Sequence, residues 1–390
     1  MSFNAINIAD LRRMARARLP DAVFDYLDGG AEDEITLRRN EAGFGDYIFR
    51  PRHGVHVPAP DLSVTILGQK LAMPVLTAPI GYSKLMHPDG ERGTARASGR
   101  KGIGFVLSTI SGYSLEAIAA AATAPLFLQV YLLGGRAAGE ATLRRAAAAG
   151  YKGLFLTIDT PVAGMRERDA RNGMKELMGN DVLAKLKYLP DIFAHPHWLV
   201  NYLLDSKMKT LPNVILPGGK PFALTDVAKA LETSVVTWDD LNWIRETWQG
   251  PIAVKGVHTA DDARPARDAG AHAVVVSNHA GRQLDQVATG LEALPEVLAA
   301  VGSEMEVLMD GGIRRGGDII KALALGAKAV LLGRGYAYGM AAAGEAGIDR
   351  ALQIFRADLL RTMKLLGCGS LSALDMSYIQ KRSNHPEGAA

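Results

Sequence analysis

The sequence predicts an α/β protein: a (β/α)8 barrel of the TIM type, with N-terminal helices and a long insertion after the fourth strand. Three observations carry this. From Met73 onward, eight short apolar runs alternate with helical stretches rich in Ala, Leu and Arg. Those runs are continuously apolar, as strands covered on both faces must be; a sheet with one wet face would alternate. Seven of the eight runs also end in hydrogen-bonding or charged residues, which in a closed barrel face one mouth.

Before the first run, residues 1–45 read as helices. Asn7 or Asp10 can cap a segment with Leu11, Met14 and Ala15 on one face. Pro20 then opens a second helix, in the first turn where proline is tolerated, and Gly29-Gly30 stops it. The strand candidates are 74–78, 103–107, 126–130, 153–158, 252–254, 273–276, 306–309 and 329–332. The helix candidates are 92–100, 115–122, 137–149, 239–247, 260–269, 290–301 and 317–325, and several close on a glycine such as Gly102, Gly150 or Gly326. An open doubly wound sheet would more often carry a G-x-G-x-x-G loop after its first strand, and Ala78-Pro79-Ile80-Gly81-Tyr82-Ser83 is not one. Residues 172–236 break the rhythm and are far too long for an ordinary loop. They contain a Trp/His/Leu-rich stretch at 192–204 and a loop signal at Pro217-Gly218-Gly219-Lys220.

A length of 390 residues allows two average domains or one large barrel. The unbroken βα series favours one domain over 1–390, with 1–72 as an N-terminal helical segment and 172–236 as an insertion or lid. Apolar residues make up 48% of the chain, enough for a substantial core, and the net charge of +3 argues against a dedicated nucleic-acid binder. The lone Cys368 excludes an intramolecular disulfide and a Cys-based zinc cluster, and no metal is expected. Met1 to Asp28 lacks the apolar core of a signal peptide, and no apolar run reaches the ~18 residues of a spanning helix. A soluble cytoplasmic protein is the expectation.

The chemistry gathers at the strand ends. In Ser277-Asn278-His279-Ala280-Gly281-Arg282, a histidine can take a proton near neutral pH while an arginine holds an anion against it. Alone, His279 reads equally well as a loop histidine packed against backbone. After the fourth run, Asp159 can orient His279 and stabilise its protonated form, and Arg166 can add a second fork for a carboxylate. Arg168 and Asp169 read as a solvated loop with surface ion pairs. Asp310-Gly311-Gly312-Ile313-Arg314-Arg315-Gly316 and Gly333-Arg334-Gly335 follow the seventh and eighth runs, where such barrels recurrently bind phosphate.

In order along the chain, L-T-x-D-T-P, V-K-G, S-N-H-x-G-R-Q-L-D, D-G-G-I-R-R-G and A-L-A-L-G-A resemble the FMN-dependent 2-hydroxy acid dehydrogenase/oxidase family, over nearly the whole chain. That family includes lactate and mandelate dehydrogenases and glycolate oxidase. The resemblance implies FMN as cofactor and a small 2-hydroxy acid as substrate, oxidised to the 2-keto acid. It makes His279 the catalytic base and Asp159 its partner, with Arg282, Arg166, Tyr26 and Tyr131 on the substrate. Around the flavin it places the backbone of Ala78, Pro79, Ile80 and Gly81, the side chains of Ser108, Gln129, Thr157 and Ser277, and Lys255 near the ring N1/C2 oxygen. Asp310, Gly311, Gly312, Arg314, Gly333 and Arg334 match the ribityl and phosphate site. Two electrons pass to FMN, as a carbanion or as a hydride, and then to a quinone or other carrier, or to oxygen. A homo-oligomer, usually a tetramer, is implied, as is peripheral contact with the inner face of a membrane through 178–217, using Phe193, Trp198, Leu199, Tyr202 and Leu203 with Lys207 and Lys209 nearby. A lid or subunit contact is the alternative use of that segment.

Three positions depart from the family pattern. Ala280 replaces the usual first glycine after the histidine. Gly81 stands where the oxidases often carry alanine, which resembles the dehydrogenase members. Ile110 replaces a tryptophan of plant glycolate oxidase, which implies a pocket not built for glycolate; Tyr26, Ile110 and Ala163 would shape that pocket, and the small Ala163 and Gly81 tilt the expectation toward larger substrates. Rival readings are an IMP-dehydrogenase-like barrel, whose catalytic cysteine Cys368 cannot supply from beyond the last strand, and a non-catalytic flavin binder at a membrane.

Overall fold

Apolar runs without alternation are stable only when both faces are covered. In the computed structural model, which describes residues 4–179, 181–206 and 208–382, they form the eight strands of a barrel. These are β1 (Val75–Thr77), β2 (Gly104–Ser108), β3 (Leu126–Val130), β4 (Gly153–Thr157), β5 (Ile252–Val257), β6 (Ala273–Val276), β7 (Glu306–Asp310) and β8 (Ala329–Leu332). All pairings are parallel, and β8 returns to β1 through Val330–Val75, Leu331–Leu76 and Leu332–Thr77. Leu76, Val106, Phe127, Phe155, Val275, Leu308 and Leu331 fill the interior, with Phe127 and Phe155 packed edge to face at 5.7 Å. The barrel is therefore a packed core, and its chemistry must sit at the mouth.

Three helices precede the barrel: α1 (Ile8–Arg18), α2 (Asp21–Asp28) and α3 (Ile35–Ala42). Of the two candidate caps it is Asn7 that serves, its side chain accepting from the Asp10 N–H at 2.8 Å. Pro20 and Gly29 bound α2, which buries Val23, Phe24, Tyr26 and Leu27. The outer ring is α4 (Gly90–Arg100), α5 (Leu115–Ala121), α6 (Gly135–Ala148), α7 (Trp238–Thr247), α8 (Ala260–Asp268), α9 (Gly290–Val301), α10 (Gly316–Ala324) and α11 (Arg334–Leu366).

The largest strand-boundary difference from the sequence reading is β5, which runs three residues further, to Val257, and so takes in Lys255. Gly256 sits at a bulge with φ +98°, and a Cβ there would lie 2.5 Å from the Asp159 carboxyl carbon. Only glycine lets the strand pass that close to Asp159.

The insertion is more ordered than a long loop. It holds short helices at Met174–Met178, Leu189–Ala194 and Pro196–Asn201, and an antiparallel pair, Thr210–Ile215 with Pro221–Ala223, turning at Gly218-Gly219. The helix Val227–Thr233 then folds back over the mouth. Two expectations are corrected here. Trp198 is buried, its indole N–H donating to Leu85 O at 2.8 Å and its ring stacked on Tyr202, so it is not part of an exposed apolar face. Arg168 and Asp169 are only partly solvated: both join ion pairs with α2, with the turn after it, or with Arg166. Lys207 lies outside the described residues.

Glu91, in the first turn of α4, is buried. One carboxyl oxygen accepts from the Gly112 N–H at 3.2 Å, and the other has no partner among the described residues. Burial pushes this carboxyl up to about 7 from its usual 4.5, against the pull of backbone N–H groups and the Lys84 charge. An unfolded glutamate ionises first, so stability from this group is full below pH 4.5 and lost as pH rises through 7, by about 3 kcal/mol. Glu91→Gln should flatten that slope. Urea-unfolding midpoints between pH 4.5 and 8 would show it, and parallel pH dependences for the two proteins would refute it.

Candidate active site

β6 ends at Val276, and the turn that follows carries His279 on a left-handed backbone (φ 55°), with Ala280 also left-handed (φ 56°). Each such residue costs about 1–2 kcal/mol, so the turn must be held from outside. Asn278 exchanges amide hydrogen bonds with Asn40 at 2.9 Å, Ser277 Oγ accepts from the His279 N–H at 3.1 Å, and Gly281 O accepts from the Ala31 N–H at 2.8 Å. The methyl of Ala280 is thus accommodated in a conformation glycine would adopt freely. Strain of this kind is what surrounding structure over-determines at working sites.

His279 Nδ1 lies 2.9 Å from Asp159 Oδ1. Burial pushes Asp159 up, but His279 and Lys255 outweigh it and hold the carboxyl at about 2. An ionised acceptor assigns the proton to Nδ1, which leaves the Nε2 lone pair free. Asp159 itself does not line the cavity; it stands behind His279.

Two arginines bracket the Tyr26 ring, Arg282 at 4.8 Å and Arg166 at 5.9 Å from its centroid. Arg282 donates to Tyr26 O at 2.7 Å and Gly29 O at 3.1 Å. Burial, and then the like charge of Arg166, lower its pKa. Burial also opposes the charge on Arg166, but Asp169, at 2.7 Å, outweighs it and raises its pKa. Two cations with one internal carboxylate leave a surplus charge suited to one more carboxylate. Tyr131, pushed up to about 12 by burial and by Asp159, stays a neutral phenol.

The remaining predicted residues build a second compartment of the same cavity. Its empty volume, mouth included, is about 1380 Å³. Ala78, Pro79, Ile80 and Gly81 form one wall, and Ser108, Gln129, Thr157 and Lys255 line it from β2 to β5. The Gln129 carboxamide accepts from Ser108 Oγ at 3.2 Å and donates to Thr157 Oγ1 at 3.0 Å. Lys255 Nζ donates to Ser277 Oγ at 2.9 Å and pairs with Asp310 at 3.1 Å; Ser277 lies behind it, outside the lining. Buried Asp310 Oδ1 has no partner among the described residues. The far end holds Gly311 and Gly312 with positive φ, Arg314, Gly333 and Arg334, below the N-termini of α10 and α11. Arg334 is not free there: it donates to the carbonyls of Leu27, Ala280 and Gly29, and burial lowers it to about 10.

These residues fit FMN. A buried cation, a side-chain amide between two hydroxyls, a carboxylate oxygen without a partner among the described residues and a glycine–arginine end supply what a flavin ring, a polyol and a phosphate require. Sequence reasoning missed part of the lining: Tyr82, Met86, Thr160 and Gln283, and Val227, Ala228 and Leu231 from the insertion.

A histidine backed by a carboxylate, two arginines with surplus charge and a pocket that fits a mononucleotide share one barrel mouth, as a flavin-dependent oxidoreductase of small acids would need. The FMN-dependent dehydrogenase family model matches residues 15–381. An L-lactate dehydrogenase of Pectobacterium atrosepticum is 41% identical over 93% of this chain and 94% of its own. An L-lactate oxidase of Nostoc sp. is 40% identical over 96% and 98%. Among solved structures, a monotopic membrane protein, (S)-mandelate dehydrogenase, superposes with a TM-score of 0.90 at 37% identity, covering 97% of this chain and 100% of that one. The chain belongs to the FMN-dependent dehydrogenase family, with FMN as its cofactor and 2-hydroxy acids as its substrate class.

Proposed function

We propose that the preferred substrates are L-2-hydroxy acids with a bulky apolar side chain, aryl or branched, oxidised to the 2-keto acid. The observation that carries this is the apolar part of the cavity wall: Met86, Ile110, Ala163, Val227, Ala228 and Leu231. Burying an aromatic or branched side chain there gains about 1.5–3 kcal/mol that a methyl group forgoes. Arg282 and Arg166 bind the substrate carboxylate, with Tyr26 and Tyr131 beside it. His279 Nε2 takes the proton, and Asp159 stabilises the imidazolium that results. FMN, when bound, supplies the two-electron acceptor. Lys255 would supply a buried positive charge to it, and Gly312, Gly333 and Arg314 would hold its phosphate. Anaerobic bleaching by a panel of 2-hydroxy acids tests the preference: mandelate and branched acids should exceed L-lactate in kcat/KM, and the reverse order would overturn it.

The electrons pass to a quinone-type carrier in preference to oxygen. Support comes from Gly81, where a Cβ would press to 3.3 Å against Ile110, together with the resemblance of glycine at this position to dehydrogenase members. The oxidase relative is the specific reason to measure reoxidation in air, where fast peroxide release would reverse this reading.

No helix among the described residues is long and apolar enough to cross a membrane. We propose peripheral contact through the insertion, where Leu183, Leu186, Phe193, Val200, Leu203 and Leu204 are exposed. Replacing Phe193, Leu203 and Leu204 by Ser together should abolish sedimentation with anionic lipid vesicles; unchanged sedimentation would reject it.

A further inference from the structure

Arg166 faces the substrate site from a short segment that runs on into the one-turn helix Glu167–Arg171. Among the described residues its side chain hydrogen-bonds only Asp169, which belongs to the same segment. That pair keeps Arg166 extended, but it does not fix where the segment sits relative to the barrel.

Arg168 does fix it. Its guanidinium leaves the segment toward α2 and enters a carboxylate trio, lying 3.1 Å from Asp28, 3.5 Å from Asp25 and in direct contact with Glu34. The trio is itself anchored. Asp28 is gripped by Arg12 at 2.6 and 2.7 Å and by the Tyr338 hydroxyl at 2.7 Å, and Glu34 accepts from the Gly30 N–H at 2.8 Å. The same helix presents Tyr26 to the cavity, and carbonyls at its C-terminal end hold Arg282. Both carboxylate-binding arginines are therefore referenced to α2, Arg282 directly and Arg166 through Arg168.

We propose that Arg168 is a positioning residue: a latch on Asp25, Asp28 and Glu34 that sets Arg166 at the spacing from Arg282 one substrate carboxylate can bridge. This rests on the proposed role of Arg166 in holding that carboxylate. Three uncharged-donor ties, Glu32 N–H to Met165 O at 2.8 Å, Gly164 N–H to the Gln283 carboxamide at 3.0 Å and Asn172 to Asp25, survive its removal, so the segment loosens without detaching. A mere fold-stabilising arginine would lower thermal stability or FMN occupancy without singling out substrate affinity.

Anaerobic stopped-flow reduction separates these. Arg168→Ala should bind FMN with an unchanged visible spectrum and need about tenfold more substrate for half-maximal reduction, as loss of charge-assisted hydrogen bonds predicts. Its limiting reduction rate should fall much less. In an Arg166→Met background the same substitution should change affinity no further, because the latch acts only through Arg166. An equal loss in both backgrounds overturns the latch alone. An Arg166→Met enzyme with normal substrate affinity overturns the role of Arg166 and the latch with it. If Arg168→Ala fails to fold, Glu34→Gln, which keeps the bond to Gly30, should raise the half-maximal concentration by about threefold; unchanged affinity in that variant overturns the proposal.

Discussion

Replacing His279 by Gln should leave the protein yellow and slow its anaerobic reduction by a good 2-hydroxy acid by about 10⁴-fold, the upper range for a positioned general base. The glutamine amide reaches the Nε2 position and not Nδ1, so the bond to Asp159 is lost while the other anchors of the turn remain. The Ser277, Asn278 and Ala31 bonds that hold the left-handed backbone do not involve the imidazole. Arg282 and Tyr26 are untouched, so substrate should still bind. What disappears is a lone pair able to accept a proton at the Nε2 position, and with it the imidazolium that Asp159, ionised to about pH 2, is placed to stabilise. Stopped-flow bleaching at saturating substrate reads this directly. Reduction within tenfold of wild type would remove His279 as the base and force the proton onto another group.

The barrel was legible because its strands are covered on both faces, which prints each as an unbroken apolar run. The end of β5 was not, since Lys255 and Gly256 look like a strand exit until a bulge carries them on. The His279–Asp159 pair spans 120 residues, and only the rule that strand ends share a mouth brings those motifs together. Arg168 and Asp169 misled because a charge-rich loop reads the same whether water or α2 receives it. The carboxylates that pair with Arg168 lie over 130 residues upstream, and their meeting is a tertiary fact. Trp198 misled for a related reason: on helices of six residues the apolar pattern does not say which side faces inward. Val227, Ala228 and Leu231 gave no signal at all, since only the return of the insertion over the mouth turns an ordinary amphipathic helix into a cavity wall.

Arg282→Met should cost about 10³-fold in kcat/KM with FMN retained, more than the corresponding Arg166→Met. The two arginines look alike in sequence, yet their surroundings differ. Arg166 already has a carboxylate in Asp169 at 2.7 Å, whereas among the described residues Arg282 is held only by neutral carbonyls at 2.7 and 3.1 Å. Arg282 therefore carries the uncompensated charge, and burial together with Arg166 makes that charge costly to keep, as its lowered pKa records. A substrate carboxylate relieves this cost, so its interaction with Arg282 should be the stronger of the two. Removing one partner of a buried charged pair costs about 2–5 kcal/mol, which brackets the expected loss. Methionine preserves much of the apolar stem over the Tyr26 ring, and Gly29 O keeps its bond from Arg334 at 2.6 Å, so the fold should hold. Lysine should recover only part of the loss, because a point charge cannot reach two carbonyls and a carboxylate with the geometry of a fork. Measured kcat/KM values for the two variants with one substrate decide the order. A larger loss in Arg166→Met would mean that Asp169 gives up its arginine on binding and that Arg166 is the principal clamp.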